Sequence, residues 1–222
     1  MSTQFPTPQD SMSPAGPGEP VIALPSTSDS RLARQLGFIL EIDKLKSVLR
    51  RSRLADDSRA ENDAEHSWHL AMMAVVLGEY ADEEVDTGRV LRMLLVHDLV
   101  EIYAGDTFVY DQAAIAEQEA REKAAADRLF PLLPRDQAVQ LRSLWEEFEA
   151  RRTPDARFAR ALDRLQPLIL NYVTGGGSWQ THGVRAQDVL AHQRVVSEGS
   201  LALWEYINQL VGDAVRRGYL AA

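Results

Sequence analysis

The stretch VLRMLLVHDLVE, residues 90–101, decides how the chain is read. Its apolar residues run without the alternation of a strand, and the run ends on two adjacent ionisable residues, His97 and Asp98. Ionisable side chains on an apolar helix are costly to bury unless they are paired or bound to something. Glu101 follows one helical turn beyond His97. At about 100° per residue it shares a face with His97, with Asp98 to one side, so three oxygen or nitrogen donors meet at one end of a helix. Asp106 comes next, just after Gly105. The alternative for this segment alone is a buried hydrogen-bonded cluster in the core, with Asp106 merely a turn residue.

Outward from this run the helical period persists. Leu32, Leu36, Ile39, Leu40, Leu45, Val48 and Leu49 recur at three- and four-residue steps and predict an amphipathic helix from Arg31 onward. Asn62 or Asp63 is the expected cap of a second helix through Tyr80, and Asp86 or Thr87 of a third through about Tyr103, stopped by Gly105. Further helical patterns lie at roughly 111–130, 135–151, 154–173, 186–193 and 197–217, separated by Pro131, Pro134, Pro154 and Gly175-Gly176-Gly177. Strand-like alternation is nearly absent, connections are short and no repeat is visible. The expected fold is a single all-α domain over residues 31–222. Residues 1–30 hold six of the ten prolines and read as a disordered tail.

Composition narrows the chemistry. The 222 residues carry 24 Lys and Arg against 33 Asp and Glu, a formal charge of -9, the wrong sign for coating nucleic acid or an anionic membrane. No run is long enough to span a bilayer and no secretory leader pattern is present, so a cytoplasmic protein is expected. With zero cysteines, any metal must be held by nitrogen and oxygen.

Two more ionisable residues interrupt apolar stripes. His66 lies in ENDAEHSWHLAMMAVVL beside Leu70, Met73, Ala74 and Leu77; Asp163 lies in FARALDRLQPLIL among Phe158, Leu162, Leu165 and Ile169. Each alone could be salt-bridged, Asp163 for instance to Arg160 or Arg164. Together His66, His97, Asp98 and Asp163 form a set of two imidazoles and two carboxylates, suited to a divalent ion with open positions. Of the other histidines, His69 reads as a partly buried residue bonded to backbone, and His182 and His192 as surface or structural.

The order H…HD…D, with 31 residues from His66 to His97 and 65 from Asp98 to Asp163, resembles the HD-domain metal-dependent phosphohydrolase superfamily. The segments LKSVLRR, ENDAEHSWHLAMMA, LLVHDLVEIYAGDT and LWEEFEARRTPDARFARALDRLQPLI are similar to its 5'-deoxynucleotidase-like branch. The resemblance runs from about Gln35 through GGGSWQTHGV and implies a helical HD domain. It also implies that His66, His97, Asp98 and Asp163 hold the metal, that Glu101 positions or deprotonates the attacking water, and that Asp106 contacts the sugar 3'-hydroxyl, with Glu101 and Asp106 a place where some relatives hold a second ion. Arg50, with Arg51 as its neighbour, matches the residue that faces the phosphate. Where the branch often carries Arg-x-Gly-Trp or Arg-Trp, this chain reads Arg50-Arg51-Ser52-Arg53.

The expected activity is removal of phosphate from a ribo- or deoxyribonucleoside 5'-monophosphate, with Mn, Co, Mg, Zn or Fe as the ion. A divalent ion offsets phosphoryl charge and lowers the pKa of water towards roughly 7, and arginines can fork to the remaining phosphate oxygens. Alternatives are hydrolysis of another small phosphomonoester or nucleotide bond, and a nucleotide-binding regulatory module without turnover. Leu201, Leu203, Trp204, Ile207, Leu210 and Val211 form an apolar stripe, expected to pack on the core and in part to form a homodimer interface.

Overall fold

A computed structural model describes residues 24–105 and 112–222, so Asp106, the start of the 111–130 pattern and the first 23 residues of the expected tail lie outside the described residues. The chain is built from helices with one small antiparallel ribbon. Helix α1 (Ser30–Ile42) starts where Asp29 accepts from the backbone N–H of Arg31 and Leu32. A 3₁₀ turn, Asp43–Ser47, then leads into strand β1 (Leu49–Arg53), which pairs with β2 (Ala60–Asn62) in the register Leu49 to Asn62 and Arg53 to Ala60. The period that promised helix through Leu45, Val48 and Leu49 is therefore misleading. Leu45 is buried by the tight turn, and Leu49 stays exposed on a ribbon of mostly polar residues.

Helix α2 (Asp63–Leu77) opens with a reciprocal cap: Asn62 Oδ1 accepts from Glu65 N at 2.9 Å, and Glu65 Oε2 accepts from Asn62 N at 3.3 Å. Helix α3 (Thr87–Val96) is capped by Asp86 and ends sooner than expected. Leu99 N bonds to Val96 O and Glu101 N to Asp98 O, an i to i+3 pattern that tightens the chain before the single turn α4 (Glu101–Ala104). Next come α5 (Gln112–Leu129), α6 (Arg135–Ala150), α7 (Pro154–Val173), α8 (Gly177–His182), α9 (Ala186–Gln193) and α10 (Leu201–Arg217). Helix α8 falls where only a break was expected. It follows Gly176, whose positive φ of 109° and backbone approach exclude a side chain, since a Cβ there would lie 2.3 Å from Tyr219 O.

Helix α7 is the central element. Thr153 caps it and Pro154 sits in its first turn, where a missing N–H costs nothing. Phe158, Leu162 and Leu165 bury fully against Leu70 of α2, Met93 and Leu94 of α3, and Ile207 of α10, each worth roughly 1.5–3 kcal/mol of burial. A second cluster joins Phe38, Val96, Leu99, Leu129, Phe130 and Trp145. Leu94 belongs to one cluster and Val96 to the other, which sets His97 at their junction. Leu203, Ile207, Leu210 and Val211 are buried in the chain's own core, so the α10 stripe is mostly internal. No described helix is long and apolar enough to cross a membrane.

Candidate metal centre

Three elements bring the predicted donors together. His66 enters from the first turn of α2, His97 and Asp98 from the end of α3 and the turn after it, and Asp163 from the middle of α7. Ligand atoms of His66, His97 and Asp98 lie within 4.8 Å of one another, and all three residues are buried. Asp163 Oδ1 is 3.1 Å from His66 Nε2 and 3.7 Å from His97 Nε2, while Asp98 Oδ2 is 3.1 Å from His97 Nε2 and 3.9 Å from His66 Nε2. Both rings therefore turn Nε2 towards both carboxylates.

The opposite edge of each ring is fixed. His97 Nδ1 donates to Leu94 O at 2.9 Å, a carbonyl on its own helix. His66 Nδ1 faces Gln166 Oε1 at 3.0 Å, and the orientation of that amide follows from its other partners. Gln166 Nε2 lies 2.6 Å from Glu61 Oε1 and 3.1 Å from His69 Nδ1, both acceptors, so it uses both protons there and leaves Oε1 to accept from His66. Ser52 Oγ in turn donates to Glu61 Oε2 at 3.1 Å, tying the ribbon to this network. Such outer partners fix the tautomer of a metal-binding histidine. His69 is thus bonded to a side chain, not to backbone as its sequence setting suggested.

These bonds leave the His66 Nε2 lone pair facing Asp163 Oδ1, an arrangement that calls for a cation between them. His97 Nε2 is buried and makes no hydrogen bond of good geometry, despite the nearby carboxylates. Burial and nearby Arg50 push His66 down to about 4, so its ring is neutral. At His97 burial opposes the charge, but Asp98 and Asp163 outweigh it and raise the imidazole to about 10. Burial likewise opposes charge on Asp98 and Asp163. His97 and Arg50 nevertheless hold Asp98 below the ordinary range, and His66 and His97 hold Asp163 below it. The cluster is built around positive charge, and its two imidazoles and two carboxylates fit a divalent ion of the borderline or hard kind.

Around this centre lies a cleft of about 740 Å³. Arg50, on β1, reaches into it and bridges Asp98 Oδ2 at 2.7 Å and the buried Asp63 Oδ1 at 3.0 Å. Arg51 also lines the cleft but is exposed at its rim. Glu101 is buried and lines the same cleft, although the chain reaches it through a tightened turn and not along a continuous helix. Arg160, on the other side, donates to Asp163 Oδ2 at 3.2 Å, pairs with Glu149 and stacks 4.4 Å from the centroid of Phe148.

Sequence reading missed Glu61, Asp63 and Gln166, and treated Arg160 only as a salt-bridge partner. Arg160 and Gln166 stand three residues before and after Asp163, on its own face of α7, and that spacing was the available signal. His192 takes the structural place: it is half-buried, and burial and its contact with Arg164 push it down to about 4.

The chain is similar to known proteins in sequence and in fold. The chain is 32% identical over 146 residues to the 5'-deoxynucleotidase HDDC2 of Bos taurus, spanning 65% of this chain and 70% of that one. It is 31% identical over 135 residues to the Homo sapiens protein of the same name, spanning 60% and 65% respectively. A solved structure described as a predicted metal-dependent phosphohydrolase, from Magnetospirillum magnetotacticum MS-1, is similar with a TM-score of 0.84 and 58% identity, covering 87% of this chain and 97% of that one. The HD domain family model matches residues 42–204, a span that contains every donor of the centre, and the chain belongs to the HD domain family.

Proposed function

We propose that this chain is a divalent-metal phosphohydrolase that releases inorganic phosphate from nucleoside 5'-monophosphates, deoxyribonucleotides among them, as one cytoplasmic domain over residues 31–222. The observation that carries this reading is the cluster of His66, His97 and Asp98, with Asp163 3.1 Å from His66, at the wall of a cleft also entered by a partly buried arginine. The name carried by the 5'-deoxynucleotidase relatives supports the substrate class. When bound, a divalent ion supplies positive charge to the phosphoryl oxygens and acidifies water.

The chain's own residues do the rest. His66, His97, Asp98 and Asp163 hold the ion. Arg50, a planar fork already 2.7 Å from Asp98 Oδ2, meets the non-bridging phosphate oxygens, and Arg51 guides the anion in from the rim. Glu101 orients the attacking water and takes its proton as oxygen closes on phosphorus; the bond to the ester oxygen breaks, that oxygen picks up a proton from solvent and leaves as the nucleoside 5'-hydroxyl, and Glu101 returns its proton to solvent. Arg160 holds Asp163 from behind through Oδ2. The resemblance assigns the sugar 3'-hydroxyl to Asp106, which lies outside the described residues.

The test is phosphate release from a panel of ribo- and deoxyribonucleoside monophosphates and sugar phosphates, with Mn, Co, Mg, Zn and Fe in turn. Release from nucleoside monophosphates that needs the metal and disappears in Asp98→Asn is expected. No release from any nucleotide with any metal would overturn the proposal.

The same reading includes a homodimer, with the interface on α2 in place of α10. Trp68 (65% exposed), Met72, Val75 and Val76 (63% exposed) form an uncharged stripe along α2, and Leu95 of α3 is exposed as well. A linear apolar stripe on one long helix can pair with its own copy across a two-fold axis. Light scattering should give twice the chain mass, falling to one in Trp68→Glu/Val76→Glu; a monomeric wild type at micromolar concentration contradicts it.

A further inference from the structure

The cleft that holds His97, Asp98 and Asp163 is also lined by Gln193, the last residue of α9. Gln193 is 5% exposed, and its buried Oε1 has no hydrogen-bond partner among the described residues. Buried amides of this kind are normally satisfied. The neighbouring ones are: Asn171 Oδ1 accepts from Ser178 N and Oγ at 2.8 Å each, its Nδ2 donates to Pro167 O at 3.0 Å, and Gln166 uses its whole amide. Gln193 stands apart as an open amide in the wall of the active cleft.

Its position relative to the centre follows from its neighbour. His192 Nε2 accepts from Arg164 Nη1, and Arg164 directly follows Asp163 on α7. Gln193 thus directly follows a residue bonded to the metal-ligand helix.

We propose that Gln193 reads the nucleobase, its amide pairing side by side with a donor and an acceptor on the base edge. This inference rests on the nucleotide reading of the same site. A primary amide offers one donor and one acceptor, and turning it over about its last torsion exchanges them. In one orientation it matches the amino group and ring nitrogen of adenine or cytosine. In the other it matches the ring N–H and carbonyl of guanine or thymine. Gln193 therefore selects for the presence of a base more than for its identity, which sets nucleotides apart from base-free sugar phosphates.

The experiment compares kcat/KM for the four deoxyribonucleoside 5'-monophosphates with that for 2-deoxyribose 5-phosphate. In Gln193→Leu the ratio of nucleotide to base-free substrate falls roughly ten- to a hundredfold, mainly through KM. Gln193→Glu, which can only accept, shifts preference towards guanine, whose ring N–H and amino group are adjacent donors, and away from cytosine, adenine and thymine, which each set an acceptor beside the donor. A ratio that stays within twofold in Gln193→Leu overturns the inference even if overall activity falls. Calorimetry with deoxycytidine and manganese reads the same contact without turnover, and equal affinity in wild type and a folded Gln193→Leu overturns it as well. Wild-type protein that binds deoxycytidine through Gln193 but releases no phosphate would sink the phosphohydrolase reading and leave this one standing.

Discussion

Replacing Gln166 by methionine keeps the length of the side chain and removes both ends of its amide. In the native centre Oε1 of Gln166 takes the Nδ1 proton of fully buried His66 at 3.0 Å, and its Nε2 supplies the carboxylate of Glu61 at 2.6 Å. Without the amide, His66 can place its proton on either nitrogen, and the tautomer with Nε2 protonated cannot bind a metal. Leaving one buried polar group unsatisfied costs about 1–3 kcal/mol, and loss of an outer partner of a metal-binding histidine weakens metal binding by about 10–100-fold. Gln166→Met should therefore stay folded, melt earlier, and bind manganese at least about tenfold more weakly in competition with a fluorescent chelator. A folded variant whose manganese affinity is within twofold of wild type would refute the reasoning that Glu61 and Gln166 set the tautomer of His66.

Three further outcomes are expected. Arg50→Met strips Asp98 and the buried Asp63 of their shared cation, so chemical denaturation should show a loss of roughly 3 kcal/mol and steady-state assays a raised KM; unchanged stability would mean that the ion pairs at 2.7 and 3.0 Å contribute nothing. His192 is held near 4 by burial and Arg164, below its unfolded value, so the folded state binds fewer protons there than the unfolded one. Its contribution to stability is present above about pH 6.5 and is lost as pH falls towards 4, by at most ~3 kcal/mol, and His192→Gln should flatten that part of the stability profile. Manganese at about a hundredfold its Kd should add about 2.7 kcal/mol to folding stability in wild type and almost none in His97→Ala, read as a shift of the melting temperature.

The donors of the centre were legible because each breaks an apolar stripe: His66 beside Leu70 and Met73, His97 after Leu94 and Val96, Asp163 between Leu162 and Leu165. A buried ionisable residue on a periodic apolar face is a conflict visible in the sequence alone. The ribbon was not legible, because β1 reads Leu-Arg-Arg-Ser-Arg and β2 Ala-Glu-Asn, strands joined by backbone pairing and by the Ser52 to Glu61 bond, with no period-two pattern of apolar residues. Nor was the turn at Asp98–Val100, since Leu99 and Val100 continue the apolar run into the core and nothing local signals that the helix tightens there. Gln166 carries no charge and so raised no flag, although its spacing of three residues from Asp163 places it on the same face. The α10 stripe was ambiguous because periodicity gives a face and not its partner; Leu203, Ile207, Leu210 and Val211 are buried in the chain's own core, while Leu201 is exposed, as are Trp68 and Val76 of α2.

Anomalous diffraction from crystals soaked in manganese tests the central claim most directly. One peak should lie between the four side chains, roughly 2.1 Å from Nε2 of His66 and of His97 and from a carboxylate oxygen of Asp98 and of Asp163. A peak bound elsewhere, or none at these four residues with manganese well above its measured Kd, would contradict the account.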